Sequence, residues 1–448
     1  MHEEKLSPEQ VRKILADFGM EYSTKNNLSQ LGGLRVLLEL LKRGKYRDRL
    51  KALFGPYKTR TILQSLIGLW AGARTMVEIG QTGKDPLVKK FVEGIVEEAQ
   101  LGRDFRSFSR SEIEALHDFN VSQTVFDLVQ KTPQTETLYF DIDATSVEKF
   151  GKQEGVEKGY VGKDQPESCY QYLLIYFNNR KTFLHGTIRG GSAHSQNDFC
   201  GYLQRFLPML AKRWNSVFRG DSGYYNEKAF DLFSEHAASF FIKAPMSQSR
   251  QNFVQLSPAL TWGPEVRGVS FASYLTVTAT GTKVREIYKR TRLDNLGQLS
   301  LGEVSSHRYD CLATNDFTID EASSFEVYNK RAHIENAIKE LKEDYQLGKI
   351  VTEDFAANDV ITQVTMLAYM LVQLLKNEIL PPKMSRMRLS TLRTQVFNIP
   401  ACIVHWARRE ITRIQNVFVS PLTMAGIIHK ARRLYSWVLE PPLLEIAA

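Results

Sequence analysis

The spacing of apolar residues changes near residue 134, and it predicts helices before that point. Four leucines recur at helical spacing: Leu34, Leu37, Leu38 and Leu41. β-Branched runs are few in this stretch, so residues 1–133 are predicted to be helical. Ser109 followed by Glu112 has the spacing of a capping box, which predicts that one helix begins near Ser109.

Strand-like runs begin at Thr137. The first three are Thr137–Asp143, Cys169–Phe177 and Thr182–Ile188, with a hairpin-like turn at Asn178–Arg180 between the last two. Helix and strand then alternate over Gln196–Trp214, Val217–Asp221, Asn226–His236 and Ser239–Lys243. Three successive strands followed by alternating helices and strands predict an α/β sheet of mixed direction. This is the element order of an RNase H-like core.

A second change of pattern follows this predicted core. Ser270–Ala279 and Arg308–Ala313 have the composition of strands, and helical spacing returns at about Ser323. The predicted fold class is therefore α/β, an RNase H-like core with a β-rich insertion and helical flanks. The predicted segments are a helical N-terminal domain over 1–133, the first part of the core over 134–243, the insertion over 244–317, the second part of the core over 318–380, and a helical C-terminal region over 381–448.

Composition narrows the class of protein only modestly. The chain has 448 residues and a formal net charge of +8, an excess that favours acidic partners such as nucleic acid. Its four cysteines lie far apart, which argues against a zinc site or a disulfide framework. The polar N-terminus lacks a signal-peptide core, and the apolar stretches Ile62–Val77 and Met366–Leu375 are short or interrupted by charge. We therefore expect a cytoplasmic protein.

A basic cluster follows the leucine-rich helix. Its members are Lys42, Arg43, Lys45, Arg47, Arg49 and Lys51, with Lys58 and Arg60 beyond the Gly55-Pro56 turn. Such a cluster is usually a solvated helix face. Ahead of a domain that processes nucleic acid, it would instead be a surface that contacts phosphates.

One predicted helix carries a polar stripe beside its buried face. At about 100° per residue, four residues share an arc of about 60°: Tyr328, Arg331, Glu335 and Lys342. The simplest interpretation is an ordinary helix in which Arg331 pairs with Glu335 at i, i+4. A carboxylate next to a buried face also needs a partner or a metal, which is the alternative interpretation.

Two aspartates at strand ends favour the metal. Asp143 ends one apolar strand and Asp221 ends another, each followed by small residues, where α/β sheets present ligands. Together with Glu335 they form an oxygen-rich set of the kind that holds magnesium. Asp141 lies two residues earlier on the same strand face and is a rival to Asp143. We prefer Asp143 because Ala144 and Thr145 follow it.

These residues resemble those of a known family, the bacterial insertion-sequence DDE transposases of the cut-and-paste branch. Tyr328-x2-Arg331-x3-Glu335-x6-Lys342 has the spacing of that family's Tyr-Arg-Glu-Lys signature. The resemblance includes Asp-Ala-Thr at 143 and Gly-Asp-Ser-Gly at 220, and also the segments 151–155, 189–194 and 389–393. It covers about residues 130–410, with weaker support from the helical N-terminus, which it implies is DNA-binding.

The resemblance implies a site and a mechanism. Asp143, Asp221 and Glu335 would bind two Mg²⁺ ions, for which Mn²⁺ could substitute, while Tyr328, Arg331 and Lys342 would contact DNA. The partners would be the terminal inverted repeats and target DNA, bound by a homodimer on paired ends. Cleavage would proceed through a hairpin with a flipped base stacked on an aromatic residue. Tyr309 and Trp262 are the stacking candidates, although both are in the insertion and could simply pack its core.

Two other functions are compatible with the same residues. One is a DNA-binding descendant that keeps the fold without the chemistry, which the three intact carboxylates argue against. The other is an RNase H-like nuclease that cuts without joining. The signature Tyr, Arg and Lys and the insertion favour the handling of specific DNA ends instead.

Overall fold

In a computed structural model, helices occupy most of residues 32–124, while most of residues 1–26 of the predicted helical segment lie outside the described residues. The model describes residues 7, 9, 27–162, 165–194, 198–210, 213–293, 307–406, 409–414 and 419–434. The N-terminal helices are α1 (Arg35–Arg43), α2 (Tyr46–Ala71), α3 (Met76–Thr82), α4 (Pro86–Val92), α5 (Glu98–Arg106) and α6 (Arg110–Thr124). The leucine spacing predicted this helical character.

Local sequence explains where these helices begin and bend. The capping box predicted at Ser109 is confirmed: its side chain accepts from the Glu112 N–H, and the Glu112 carboxylate accepts from the Ser109 N–H. Within α2, Gly55 has φ 73° and breaks the helical geometry just before Pro56. A residue with a Cβ would be strained there, and proline cannot continue the hydrogen-bond ladder.

Nine of the described strands form one mixed sheet. They are β2 (Leu138–Glu148), β3 (Glu157–Gly159), β4 (Glu167–Phe177), β5 (Thr182–Gly190), β6 (Ser216–Gly220), β7 (Ser239–Ala244), β8 (Val269–Val277), β9 (Lys283–Arg292) and β10 (His307–Thr314). Their order is β3-β4-β2-β6-β7-β10-β9-β8, and β5 also pairs with β4. Strands β2, β6 and β7 are parallel, and the other pairs are antiparallel. The predicted mixed direction is therefore confirmed.

The predicted insertion extends this sheet. Strand β10 pairs with β7, and β9 and β8 follow outward. Between β7 and β8 lies the helix α9 (Gln248–Leu256), which sequence patterning did not predict. Two further helices cover the core, α7 (Phe199–Leu210) and α8 (Glu227–Glu235). The insertion is thus hydrogen-bonded through β10 to β7, which is the strand next to β6.

The segment after the sheet brings the predicted stripe back onto it. Helix α10 (Glu321–Asn329) ends in a 3₁₀ turn, Lys330–Ala332, and α11 (His333–Asp344) follows. The next helix, α12 (Phe355–Glu378), is long and apolar enough to span a membrane. However, 78% of its most apolar 18-residue stretch is buried inside the protein. The Trp70 indole donates to the Ala368 carbonyl at 3.1 Å, so the N-terminal helices and α12 share one hydrophobic core.

The C-terminal region departs from the helical prediction. It contains α13 (Pro382–Ser385), α14 (Leu389–Leu392) and α15 (Pro421–Arg433), but also a hairpin of β11 (Ala401–Trp406) and β12 (Arg409–Ile414). Strand β1 (Leu28–Ser29) adds to β11. The pairing of Leu28 with Cys402 and of Ser29 with Ala401 is invisible to local helical spacing, and the β-branched residues of the hairpin favour strands. The prediction of an all-helical region was wrong here.

Candidate active site

Asp143 and Asp221 lie side by side at the centre of the sheet. In the parallel pairing of β2 and β6, Ile142 is opposite Gly220. The next residues along the two segments, Asp143 and Asp221, are therefore neighbours. The Asp221 carboxylate accepts from the Gly223 N–H at 2.9 Å and caps the 3₁₀ turn Ser222–Tyr224. The two strand-terminal aspartates predicted from sequence are therefore brought together by register.

Asp141 has a different role from Asp143. Its side chain is fully buried and pairs with Arg219, with Nε 2.5 Å from Oδ1 and Nη2 2.9 Å from Oδ2. The Asn178 amide donates to the same carboxylate at 2.8 Å. Because protein donors already occupy both of its oxygens, Asp141 is a structural residue of the sheet. This geometry favours Asp143 as the carboxylate available for chemistry.

The Asp143 carboxyl is held in an unusual electrostatic state. Burial raises its pKa from 3.8 to about 6; Arg331 opposes the rise, and the charges of Asp221 and Glu335 add to it. A buried acid beside other acids is stabilised by a cation, and this is the electrostatic demand that a metal would meet.

Two cations of the predicted stripe reach β2. The Arg331 guanidinium lies beside Asp143, with Nη1 3.4 Å from Oδ2 and 3.5 Å from the Ile142 carbonyl oxygen. The Lys342 ammonium donates to the Ser146 carbonyl at 2.8 Å. Both contacts lie along one strand, so α11 and its preceding turn are fastened to the strand that carries Asp143.

Tyr328 and Glu335 complete the stripe. Burial alone would lower the pKa of the Arg331 guanidinium. Its interactions with Asp143, Tyr328 and Asp221 have a larger, opposite effect, so the pKa is raised. Glu335 is exposed on α11 one turn after Arg331. The simple interpretation, in which Arg331 pairs with Glu335 along the helix, is not what is observed: among the described residues the ion pair of Arg331 is with Asp143.

The donor chemistry suits a hard divalent cation, but the arrangement is open. Within the described parts of the chain, no group of three or more His, Cys, Asp or Glu side chains is close enough to hold a metal. Asp143 and Asp221 provide carboxylate oxygens on adjacent strands, and Glu335 faces solvent nearby. The site therefore offers two converging carboxylates and a third on the neighbouring helix.

Comparison with known proteins identifies the family. A family model described as "Transposase DDE domain group 1" matches residues 23–435, which is most of the chain. The chain belongs to this DDE transposase family. No curated protein matches the sequence.

A solved structure is also similar to this chain, the cryo-EM structure of a piggyBac transposase synaptic complex with hairpin DNA. The sequence identity is 10% and the TM-score 0.38, over 70% of this chain and 65% of that chain. The chain therefore spans less than two thirds of the length of that relative.

The two aromatic candidates for base stacking lie together in the insertion. The rings of Trp262 and Tyr309 are 6.1 Å apart, and the Arg290 guanidinium lies 4.4 Å from the centre of the Trp262 ring. Both rings are partly buried against the small core of the insertion. They pack that core, as the more conservative interpretation expected, and base stacking by either stays a prediction.

A buried polar network at the edge of the site was not found from sequence. The Glu286 side chain on β9 is 4% exposed and accepts from three groups. These are Arg250 Nη2 at 2.6 Å, the Tyr225 hydroxyl at 2.9 Å and the Tyr288 hydroxyl at 2.5 Å. The local sequence carries no signal for this burial, because charged and apolar residues occur on both faces of the strand over Lys283–Tyr288.

The N-terminal basic cluster is partly consumed by internal contacts. Lys58 pairs with Glu112 at 2.7 Å, Arg43 with Glu39 at 2.9 Å, and Arg47 with Glu93. Arg49 donates to Gln123 at 2.6 Å. These members of the cluster are therefore engaged in contacts within the protein, and its other members are considered below.

Proposed function

We propose that this chain is a bacterial cut-and-paste transposase. It binds the terminal inverted repeats of its insertion sequence, excises the element by metal-dependent phosphoryl transfer through hairpin ends, and joins it to target DNA. The observation that carries this proposal is the juxtaposition of Asp143 and Asp221 on parallel strands, with Arg331 against Asp143. Membership of the DDE transposase family supplies the reaction class.

The sheet supports an RNase H-like core within this proposal. The strands β5, β4 and β2 are successive and antiparallel, and β6 and β7 then continue parallel to β2. Such a sheet presents its ligands beyond the carboxyl ends of the parallel strands, where Asp221 lies. The proposed boundaries remain those predicted, with the core over 134–243 and 318–380.

The three carboxylates are the proposed metal ligands. Asp143 and Asp221 would hold Mg²⁺ from the sheet, and Glu335 would contribute from α11, with Mn²⁺ as a substitute. Two such ions supply activation of the attacking oxygen and stabilisation of the leaving oxygen. Burial of Asp143 next to like charges supports this assignment, because an added cation relieves the repulsion that raises its pKa.

Arg331, Lys342 and Tyr328 are the proposed DNA contacts at the site. In the absence of a cation Arg331 balances the charge of Asp143, and its planar guanidinium suits bidentate binding of a phosphate. Lys342 is held against β2 by its bond to Ser146, which fixes a positive charge beside the carboxylates. Tyr328 adjoins Arg331 and orients it. These residues would hold the DNA backbone while the strand is cut.

A basic surface away from the carboxylates supports DNA binding. Three helices end there with cations in their last turns, Lys42 and Arg43 of α1, Lys89 and Lys90 of α4, and Lys430, Arg432 and Arg433 of α15. A groove of about 450 Å³ between α1 and α4 is lined by five cations, Arg35, Lys42, Lys45, Arg47 and Lys90.

The acidic residues of this groove do not cancel its charge. Its lining includes the carboxylates of Glu39 and Asp48. Glu39 already lies between two guanidinium groups, 2.9 Å from Arg43 and 3.7 Å from Arg432. Cations at helix ends also offset the helix dipole. The surplus of charge in one groove nevertheless favours a phosphate backbone as its partner.

A strand-transfer assay tests the joining half of the proposal. Purified protein is given pre-cut element ends with free 3′-OH groups and a supercoiled plasmid, and joined products are sequenced. A transposase of this kind joins the ends to the plasmid and makes a target duplication of fixed length. Cleavage of flanked ends without any joining would instead favour the nuclease. Binding without cutting or joining would favour the silent descendant. We expect two subunits on paired ends, and a sizing experiment on the DNA complex would measure their number. We also propose that the protein acts in the bacterial cytoplasm.

A further inference from the structure

The turn that carries Asp221 is fixed at both of its ends. At its start, β6 pairs with β2 and β7 up to Gly220. At its end, Tyr225 is the single residue between the turn Ser222–Tyr224 and Asn226, whose side chain caps α8. Any displacement of Tyr225 would therefore move the short segment whose Gly223 N–H donates to the Asp221 carboxylate.

Tyr225 is fixed by the insertion. Its hydroxyl donates to Glu286 of β9 at 2.9 Å, and Arg250 of α9 lies over its ring, 5.1 Å from the centre. Phe230 packs edge-on against the same ring at 5.1 Å. Two elements of the insertion therefore contact the residue that ends the Asp221 turn.

Glu286 is a rigid point of attachment. It is almost fully buried, and its carboxylate is satisfied on one oxygen by Arg250 and Tyr225 and on the other by Tyr288. Arg250 is anchored in turn to the Pro245 carbonyl, just beyond β7, at 2.6 Å. A fully satisfied buried network has little freedom to rearrange, so a group hydrogen-bonded to it is held in one position.

We propose that Glu286 and Tyr225 are positioning residues for Asp221, so that the insertion sets the orientation of the second catalytic carboxylate. The role in catalysis rests on the proposed function, whereas the mechanical link is independent of it. The alternative is that the network only stabilises the core of the insertion. The two differ because a purely stabilising network would leave the Asp221 turn unaffected when the Tyr225 hydroxyl is removed.

Two tyrosines give a matched pair of variants. Tyr225→Phe and Tyr288→Phe each remove one hydroxyl that donates to Glu286, but Tyr288 lies within β9, and none of the hydrogen bonds between described residues joins its side chain to the turn Ser222–Tyr224. Both retain the ring that fills the core. Similar losses of thermal stability are expected from the two, because each leaves the carboxylate one donor short.

The first readout is hydrogen–deuterium exchange of the peptide that contains Gly223, in the metal-free protein. We expect Tyr225→Phe to accelerate exchange there about tenfold, as expected for loss of one hydrogen bond to a charged acceptor, and Tyr288→Phe to leave it near the wild-type rate. Equal exchange in the two variants, or no change in Tyr225→Phe, would overturn the proposal.

The second readout is Mn²⁺ binding, followed by electron paramagnetic resonance without DNA. We expect Tyr225→Phe to weaken Mn²⁺ binding several-fold, and Tyr288→Phe to match the wild type. Faster exchange combined with unchanged binding of Mn²⁺ would contradict the link to the carboxylate. If the wild type itself bound no Mn²⁺ and cut no DNA, the proposed function would fail while the exchange result still decided whether the insertion holds the turn.

Discussion

The Arg331 guanidinium lies against the Asp143 carboxylate, 3.4 Å away, although the two residues are on different elements. Arg331 is in the turn between α10 and α11, and Asp143 is within β2. This contact counters the burial that raises the pKa of Asp143 to about 6. The contact joins Arg331 of the predicted polar stripe to Asp143, and its effects on pH dependence and stability can be measured.

Replacement of Arg331 by alanine should change the pH dependence of cleavage as well as its rate. Asp143 must be ionised to hold a cation, so wild-type activity should fall as the pH drops below about 6. Loss of the guanidinium removes an effect that lowers the pKa, which should move this acidic limb upward by about one pH unit. Initial rates of cleavage between pH 5 and pH 9 measure the shift. An unchanged profile with a reduced rate would mean that Arg331 acts on DNA alone.

The two aspartates of β2 should respond oppositely to neutralisation. Asp141→Asn leaves Arg219 buried without its counter-ion, which should cost about 3–5 kcal/mol of folding free energy. Asp143→Asn should stabilise the metal-free protein at pH 7.5. Its folded pKa is above the unfolded value, so the carboxylate costs stability as the pH rises from about 4 to 6, and the cost persists above that range.

Thermal denaturation in EDTA measures this difference. The gain for Asp143→Asn should be between about 1 and about 3 kcal/mol at pH 7.5 and should vanish near pH 4, where the folded acid is protonated. Destabilisation by Asp143→Asn at pH 7.5, of the same size as Asp141→Asn, would show that we have exchanged the roles of the two residues.

The sequence anticipated the two aspartates because their signal is local. The sequence predicts that each ends a short apolar strand, and two such strands in an α/β order are placed beside one another by general rules. Asp221 does follow the end of β6, whereas β2 continues past Asp143 to Glu148, so the predicted end of that strand was wrong. The stripe was found for a less secure reason. The helical wheel assumed one continuous helix from Tyr328 to Lys342, whereas the structure interrupts it with the 3₁₀ turn Lys330–Ala332. Arg331 still faces the site, because the 3₁₀ turn changes the helical geometry over only 3 residues.

The features that were missed depend on contacts between distant residues. The hairpin β11–β12 is stabilised by β1, which is at the other end of the described chain. Gly32, just after β1, allows this approach, since a Cβ there would lie 2.5 Å from the Ala401 Cβ of β11. In the sequence, Glu286 is one more charged residue. Only the structure shows that Tyr225, Arg250 and Tyr288 donate hydrogen bonds to it. Spacing along the chain carries no information about such partners.

Glu335→Gln should separate binding from chemistry. The side chain is exposed on α11, so an isosteric amide should leave the fold and the affinity for DNA ends nearly unchanged. Loss of the third carboxylate should reduce cleavage by at least about a hundredfold. Gel-shift affinity and cleavage rate are measured on the same substrate, with Glu343→Gln as an exposed control on the same helix. Wild-type cleavage by Glu335→Gln would remove this residue from the site.

Charge reversal in the basic groove should affect DNA affinity without affecting the carboxylates. Lys42→Glu is expected to weaken end binding and to reduce the slope of log affinity against log salt by about one. Lys383→Glu, on the exposed helix α13, provides a control with the same change in net charge. Similar effects of both variants would show that overall charge matters and that the groove has no special role.

The central claim is that Asp143 and Asp221 hold the cation that cuts DNA, and one cleavage experiment tests it most directly. Wild type and Asp221→Ala are incubated with DNA that carries the flanked ends of the element, with Mg²⁺ and separately with EDTA. We predict nicked and hairpin products for the wild type with Mg²⁺, none in EDTA, and none for Asp221→Ala although it still binds the ends. Products that persist in Asp221→Ala, or that form equally well in EDTA, would contradict the account.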